Sequence, residues 1–265
     1  LNNSVYFLTV DPGKVQLWRT NGTLSGTVPI HTITNVSQYQ FFNLVVVNGL
    51  LFFRLQTNSS ASLYQTDGTA EGTVEVRPGF SDPMAECGGR LYFASISTQD
   101  YQRYLYATNG KAGGVEQLLN IYENGMDPNE FVITPLGDSC YFLAHSIANG
   151  RSIWQTNGTA SGTHKIASLA YGLVYSLVSP GRRLFFPGID INTNQVELWA
   201  SDGTAMGTQQ FADIYPGVNS STPQQLTVAD HKLFFVAQDG THGRELWVYT
   251  PDGSAYSIFL PAVRK

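Results

Sequence analysis

The chain has 265 residues and a net charge of −5, and 13% of its residues are charged. That fraction is well below the roughly 25% of an ordinary soluble domain, and the 26 glycines, 14 tyrosines and 15 phenylalanines are typical of a turn-rich β protein. Lysine and arginine are spread along the chain in runs no longer than two, which excludes a basic face for nucleic acid or for an anionic membrane. No apolar run approaches the ~20 residues that cross a bilayer, so we expect no membrane insertion.

A short motif, an aromatic residue followed by a glycine-containing turn, recurs along the whole chain. The aromatic residues that mark its copies are Trp18, Tyr64, Tyr106, Trp154, Trp199 and Trp247. Successive markers lie 42 to 48 residues apart, and strand-rich repeats of ~40–50 residues are typical of propeller blades. We therefore predict one all-β domain over residues 1–265, a six-bladed β-propeller of four-stranded antiparallel blades.

The first repeat differs from the others because it begins at the second strand of a blade, in residues 5–10. Its inner strand has no counterpart on the N-terminal side, and an unpaired inner edge would expose backbone donors and acceptors. The C-terminal residues 256–263 are the remaining candidate, but the sixth repeat also needs them as its last strand. Three alternatives stay open: the C-terminal segment completes the first blade, one blade lacks a strand, or residues upstream of this sequence supply it.

The second repeat shows the plan of a complete blade. Its strands are predicted at residues 42–47, 50–55, 62–66 and 72–76. Asn48-Gly49 separates the first two, and Asn-Gly between two apolar runs is a strong hairpin signal. The same order of inner strand, turn and aromatic-rich second strand returns in the four later repeats.

The turn sequence T-D/N-G-T-x-x-G-T closes the hairpin between the third and fourth strands. Asp67, Asp202 and Asp252 occupy its acidic position. A calcium loop needs several carboxylates at alternate positions, whereas each turn has one, so we interpret these residues as hydrogen-bond acceptors within the turn. The aromatic residue before each turn is interpreted as packing between blades.

The twelve residues 197–208, ELWASDGTAMGT, together with residues 239–247, DGTHGRELW, resemble the ELWxxDGT repeat family. This resemblance covers nearly the whole chain and implies a secreted or surface-attached bacterial β-propeller. The third repeat departs from the motif at Lys111 and at Gly114-Val115, and the sixth lacks the second Gly-Thr. We expect those two turns to be built differently.

No catalytic or metal-binding motif is present in the sequence, and the five histidines fall at unrelated positions of the repeat. We therefore predict no catalytic residue, no metal ligand and no cofactor. An alternative from another class is a glycan-active hydrolase or lyase that uses tunnel-facing carboxylates such as Glu86 and Glu130.

The connections from the fourth strand of one repeat to the first strand of the next are long, and each contains an aromatic residue. An exposed ring beside Asp or Asn suits a sugar, which offers a flat apolar face and hydroxyl groups. The competing interpretation, that these rings pack between blades, is favoured over direct ligand contact. The candidate ligand-binding residues are Tyr39, Phe80, Asp82, Tyr122, Asp127, Tyr171 and Tyr215.

We expect the protein to be an extracellular or cell-surface binding or adhesion module whose partner is a glycan or a surface protein. A purely structural spacer in a larger surface protein is the remaining alternative. Cys87 and Cys140 lie in different repeats, and two buried thiols are favoured over a disulfide. The oligomeric state stays open.

Overall fold

The computed structural model describes residues 3–36, 40–56, 61–120, 132–146, 150–169, 176–190, 192–251 and 257–259. The chain divides into two compact units. Unit 1 comprises Leu1–Glu123 and Gly158–Ala160, and unit 2 comprises Asn124–Asn157 and Ser161–Lys265. Within the described residues, no helical segment has the length and hydropathy that a bilayer crossing requires. The expectation of one domain over residues 1–265 stays a prediction.

Unit 1 contains three antiparallel sheets, numbered I to III in chain order. Sheet I consists of β1 (Val5–Asp11), β2 (Gly13–Thr20) and β3 (Val28–Val36). Sheet II consists of β4 (Gln40–Val47), β5 (Leu50–Gln56), β6 (Ala61–Thr66) and β7 (Val74–Pro78). Sheet III consists of β8 (Phe80–Cys87), β9 (Arg90–Ile96), β10 (Arg103–Thr108) and β11 (Val115–Asn120).

Unit 2 contains sheets IV to VI, whose strands also lie side by side in chain order. Sheet IV consists of β12 (Ile133–Leu136), β13 (Ser139–Ser146), β14 (Gly150–Thr156) and β15 (His164–Leu169). Sheet V consists of β16 (Leu184–Ile189), β17 (Val196–Ser201) and β18 (Gln209–Ala212). Sheet VI consists of β19 (Gln224–Ala229), β20 (Lys232–Gln238), β21 (Arg244–Thr250) and β22 (Ser257–Phe259).

The prediction of six four-stranded blades closed into one ring is wrong. The described strands form six separate antiparallel sheets, and sheets I and V have three strands each. The C-terminal strand β22 pairs with β21, so the expectation that the C-terminal segment completes the first blade is also wrong. Short hairpins determine strand pairing inside each repeat, whereas ring closure depends on contacts between distant repeats that the motif does not specify.

The Asn48-Gly49 hairpin joins β4 to β5, which confirms the predicted turn. Both residues have positive φ, 49° and 76°, as in the two-residue turns whose twist matches that of the flanking strands. The side-chain amide of Asn48 donates a 2.7 Å hydrogen bond to the carbonyl oxygen of Gly89, in the corresponding turn of sheet III. Neighbouring repeats of unit 1 are therefore tied together at their hairpin ends.

The acidic turn residues accept hydrogen bonds inside their own turns. Asp202 Oδ1 accepts one from the backbone N–H of Thr204 (2.9 Å) and one from its hydroxyl (2.7 Å). Asp67 is bonded in the same way. The threonine hydroxyl in each turn lowers the pKa of the aspartate below its usual value, and the threonine N–H lowers it further. The interpretation of both aspartates as turn residues is confirmed, while Asp252 lies outside the described residues.

The third repeat confirms that a departure from the motif changes the turn. The backbone N–H of Lys111 still donates to Asn109 Oδ1, at 3.1 Å. Gly114 N–H then donates to the carbonyl of Lys111, at 2.9 Å, whereas the corresponding Gly207 N–H donates to the hydroxyl of Thr204. Lysine has no hydroxyl at this position, so a backbone carbonyl replaces it as the acceptor.

Each sheet has a front face and a back face, which we define by the marker aromatic. The front face carries that Trp or Tyr and the phenylalanine paired with it on the preceding strand. The back face carries the Leu or Ile immediately before the marker. The front-face pairs are Phe7–Trp18, Phe53–Tyr64, Phe93–Tyr106, Phe142–Trp154, Phe186–Trp199 and Phe235–Trp247.

Within each unit, the back face of one sheet packs on the front face of the next. In unit 1, Leu17 of sheet I shares a buried cluster with Phe53 of sheet II, and Leu63 of sheet II shares one with Phe93 of sheet III. In unit 2, the same relation joins sheet IV to sheet V and sheet V to sheet VI. The interpretation of the marker aromatics as packing between sheets is therefore confirmed for four of them, Tyr64, Tyr106, Trp199 and Trp247, which belong to these clusters.

Cys87 ends β8, and Cys140 lies in β13. Both are buried, with 1% and 4% of their surface exposed, and both are disulfide-bonded. The favoured interpretation of two buried thiols is therefore wrong. Burial and spacing could not decide the matter, because free and oxidised cysteines are both commonly buried.

Candidate functional site

The connection between β18 and β19, residues 213–223, is the predicted aromatic connection whose backbone and side chains are described throughout. We call it the anchored loop. It follows the fourth-position strand of its repeat, and such loops commonly carry function because a rigid scaffold positions them.

A buried carboxylate holds both ends of the anchored loop. Glu197, at the first position of the ELW motif in β17, is 1% exposed. Its Oε2 accepts hydrogen bonds from the backbone N–H of Ile214 (2.9 Å) and the hydroxyl of Ser221 (2.6 Å). Its Oε1 accepts one from the backbone N–H of Ser221 (2.9 Å). One side chain thus fixes the beginning and the end of the loop.

Burial raises the pKa of Glu197, and the nearby Asp213 carboxylate raises it further. The three hydrogen bonds to the carboxylate act in the opposite direction. A buried carboxylate is costly unless it is hydrogen-bonded, so the two oxygens of Glu197 are committed to the loop backbone and to Ser221. This arrangement is suited to holding a loop in one conformation.

Further hydrogen bonds tie the anchored loop to the strands on both sides. Ser220 Oγ accepts one from the backbone N–H of Val196 (3.0 Å), and Thr222 N–H donates to the carbonyl of the same residue (3.1 Å). On the other side, the Gln238 side chain donates to the carbonyl of Ser220 (2.8 Å). The Gln195 side chain also donates to the carbonyl of Gly217. The loop is therefore held at its middle as well as at its ends.

The tip of the anchored loop is exposed. Val218 is 90% exposed, and it lies between Gly217 and the exposed Asn219. The Tyr215 ring is half-buried and lies where a β-carbon on Gly240 would stand. Gly240 leaves this space open and also has a positive φ of 81°. The loop therefore presents a small exposed tip beside a ring supported from one side by the protein backbone.

The seven predicted ligand-binding residues are not brought together in the described part of the chain. Phe80 and Asp82 lie within β8 rather than in a connection, because Gly79 alone separates β7 from β8. Tyr215 packs on Gly240, as the favoured packing interpretation expects. Tyr39, Tyr122, Asp127 and Tyr171 lie outside the described residues. A ligand-binding role for all seven stays a prediction.

The acids named for the alternative enzyme do not form a described pair. Glu86 is exposed, and its Oε1 accepts a 2.9 Å hydrogen bond from the backbone N–H of Gly89 in its own hairpin turn. Glu130 lies outside the described residues. In the described ranges, His, Cys, Asp and Glu form no group of three that could hold a metal ion.

The anchoring role of Glu197 was not predicted from the sequence, although a signal was present. A carboxylate at position 197 stands inside an apolar strand that the structure buries, and buried acids are uncommon unless they are paired or hydrogen-bonded. Its partners Ile214 and Ser221 lie 17 and 24 residues further along the chain. No short motif indicates partners at that distance.

No family model matches the sequence, and no curated protein matches it. Oligopeptidase B from Leishmania major is similar in structure, with a TM-score of 0.58 and 8% sequence identity over 97% of this chain and 40% of that one. An uncharacterised protein from Listeria monocytogenes, lmo1340, has a TM-score of 0.47 at 10% identity over 97% of this chain and 79% of that one. A putative TolB from Agrobacterium tumefaciens has a TM-score of 0.43 at 14% identity over 86% and 83% of the two chains.

At such low identity, the likeness to oligopeptidase B concerns the fold alone. This chain spans two fifths of the peptidase chain. The matched part of that neighbour is β-propeller-like, so the prediction of a β-propeller type of fold is supported in general terms. The six-bladed ring is not. The protein is an all-β, propeller-like array of antiparallel sheets.

Proposed function

We propose that this protein is an extracellular, non-enzymatic binding module of the ELWxxDGT repeat type, and that the anchored loop forms part of its contact surface. The observation that carries the proposal is the buried Glu197, which accepts three hydrogen bonds from residues at both ends of the loop. A loop held in this way is already ordered before a ligand arrives. Binding then costs less conformational entropy than ordering a flexible loop would.

The exposed groups of the loop favour a glycan over other small ligands. Tyr215 offers a ring whose orientation is supported by Gly240, and the exposed Asp213 and Asn219 lie close to it in sequence. Aromatic rings beside carboxylate and amide groups match the apolar face and the hydroxyls of a sugar. The alternative is that the same tip binds a protein partner, and the test below distinguishes a glycan ligand from that alternative.

The extracellular location is supported by the oxidised state of both cysteines. Disulfides form and persist in oxidising compartments and are rare in reducing ones. The resemblance to repeats of secreted or surface-attached proteins points in the same direction.

A glycan array tests the proposal directly. The wild-type protein should retain one class of glycan, and the double variant Val218→Ala/Asn219→Ala should bind that class about tenfold more weakly, a loss of ~1.4 kcal/mol. The control is Met206→Ala, which alters a 93% exposed side chain in a turn of the same unit. Its affinity should equal that of the wild type.

Three results would contradict the proposal in different ways. Retention of no glycan would remove the glycan ligand and leave a protein partner or a structural spacer. Equal binding by the double variant and the wild type would remove the anchored loop from the contact surface. Turnover of chromogenic glycosides would contradict the non-enzymatic assignment.

A further inference from the structure

The front-face phenylalanine is buried in sheets II to VI and exposed in sheet I. The five buried rings are each 0–1% exposed; they belong to Phe53, Phe93, Phe142, Phe186 and Phe235. Phe7 of sheet I is 37% exposed, and Val5 on the same face is 65% exposed. Phe7 still stacks on Trp18, with ring centroids 6.2 Å apart. Sheet I therefore has the same aromatic pair as the other sheets, but in the described part of the chain no sheet packs on its front face.

The back face shows the complementary exception in sheet VI. The residue before the marker aromatic is 0–3% exposed in the first five repeats; these residues are Leu17, Leu63, Leu105, Ile153 and Leu198. Its counterpart Leu246 is 46% exposed. Phe234, Val236 and Val248 on the same face are half-buried. In the described residues, sheet VI thus presents a partly exposed apolar back face.

The sequence of β20 is typical of a strand that is buried on both faces. In the structure, however, only one face of β20 is fully buried. Its residues KLFFVAQ include the uninterrupted apolar run from Leu233 to Ala237. Continuous apolar runs are typical of strands that are covered on both sides. Leu233, Phe235 and Ala237 are buried, whereas Phe234 and Val236 are only half-buried. The strand β20 therefore presents apolar side chains on its back face as well as on its front face.

We propose that a second copy of this chain supplies that partner, with the back face of sheet VI of one copy packing on the front face of sheet I of another. Inside each unit, the buried cluster between each two successive sheets joins a back face to the following front face. The two exposed faces are one front face, on sheet I, and one back face, on sheet VI. A head-to-tail contact between copies therefore repeats a packing that the chain already uses. Exposed apolar patches of this kind mark interaction sites.

A head-to-tail contact uses two different surfaces, so each copy keeps one free end and association continues with concentration unless a ring closes. Sedimentation or light scattering over a wide concentration range should show the molar mass of the wild type rising. Phe7→Glu and Leu246→Glu should each keep the protein monomeric, because each places a charge in one face. Both variants alter partly exposed positions, and circular dichroism checks that they remain folded. Val5→Glu is a second variant of the front face of sheet I and should have the same effect as Phe7→Glu.

Mixing the two single variants is the decisive measurement. The Leu246→Glu protein keeps an intact front face and the Phe7→Glu protein keeps an intact back face, so the mixture should form dimers and nothing larger. The control Met206→Glu changes an exposed residue on neither face and should associate like the wild type. A wild type that stays monomeric at every concentration overturns the proposal. Association of Leu246→Glu alone also overturns it, because that protein has no intact back face for a front face to meet.

Discussion

The hydroxyl of Ser221 donates a 2.6 Å hydrogen bond to Oε2 of Glu197, 24 residues earlier in the chain. Both residues are buried, with 0% and 1% of their surface exposed. Because the Ser221 backbone N–H also donates to the same carboxylate, the end of the anchored loop depends on one acid in β17.

Replacing Glu197 by alanine should lower the free energy of unfolding by about 3 kcal/mol. The backbone N–H groups of Ile214 and Ser221 lose their acceptor, and each buried unsatisfied donor costs ~1–3 kcal/mol. Urea unfolding measures the loss. The control is Glu245→Ala, at the same motif position in sheet VI, where the side chain is only half-buried. Equal losses in both variants would contradict the anchoring role.

The stability difference between the wild type and Glu197→Gln should depend on pH. The folded pKa of Glu197 lies above the ordinary value of 4.5, chiefly because of burial. The contribution that this raised pKa makes to folding is therefore fully present below pH 4.5 and is lost as the pH rises through the folded pKa. Urea unfolding of both proteins at a series of pH values should show the free energy of unfolding of the wild type falling relative to that of Glu197→Gln as the pH rises. A difference that grows in favour of the wild type would contradict this sign.

Gly207→Ala should cost about 1–3 kcal/mol, since the Asp202 carboxylate occupies the space that a β-carbon would need. The control is Gly181→Ala, where an added β-carbon meets nothing within 4 Å. Thermal unfolding should separate the two variants by several degrees. In an Asp202→Ala background the cost of Gly207→Ala should fall, and additive effects of the two changes would argue against a direct clash.

His242 should titrate above the ordinary imidazole value of 6.5, because the side-chain hydrogen bond to Asp239 and the charge of that carboxylate raise its pKa. The two atoms, Nδ1 and Oδ2, are 2.7 Å apart. The contribution of this contact to folding is present below pH 6.5 and is lost as the pH rises through the folded pKa of His242. NMR titration of the ring protons measures the pKa of His242, and Asp239→Asn should move the titration midpoint downward. His31, whose pKa is lowered by burial, should titrate below His242; the reverse order would contradict both assignments.

Neither cysteine should react with a thiol reagent in denaturant before reduction, because Cys87 and Cys140 are both disulfide-bonded. After reduction, two thiols should react for each chain, the number of cysteines in the sequence. Protein purified from an oxidising compartment is the material to use. Two reactive thiols in the unreduced protein would contradict the disulfide.

The features predicted correctly from the sequence depend on residues close together in the chain. The Asn48-Gly49 hairpin follows from two adjacent residues with positive φ. The Asp202 turn follows from hydrogen bonds that Thr204 donates two residues away. The candidate site was harder to predict, because Tyr215 and Gly240 meet only after β19 and β20 have formed.

By itself, the sequence determined the six sheet-forming repeats, the turn chemistry and the aromatic that marks each sheet, because hairpins and turns arise from short-range backbone preferences. Only the tertiary structure decided that Glu197 is buried beneath the anchored loop, that both cysteines are bonded, and that the array is not a closed six-bladed ring. It also left Phe7 and Leu246 exposed on their apolar faces. An apolar pattern indicates that a face is buried in a contact, but the surface that buries it comes from residues far away in the chain or from another molecule.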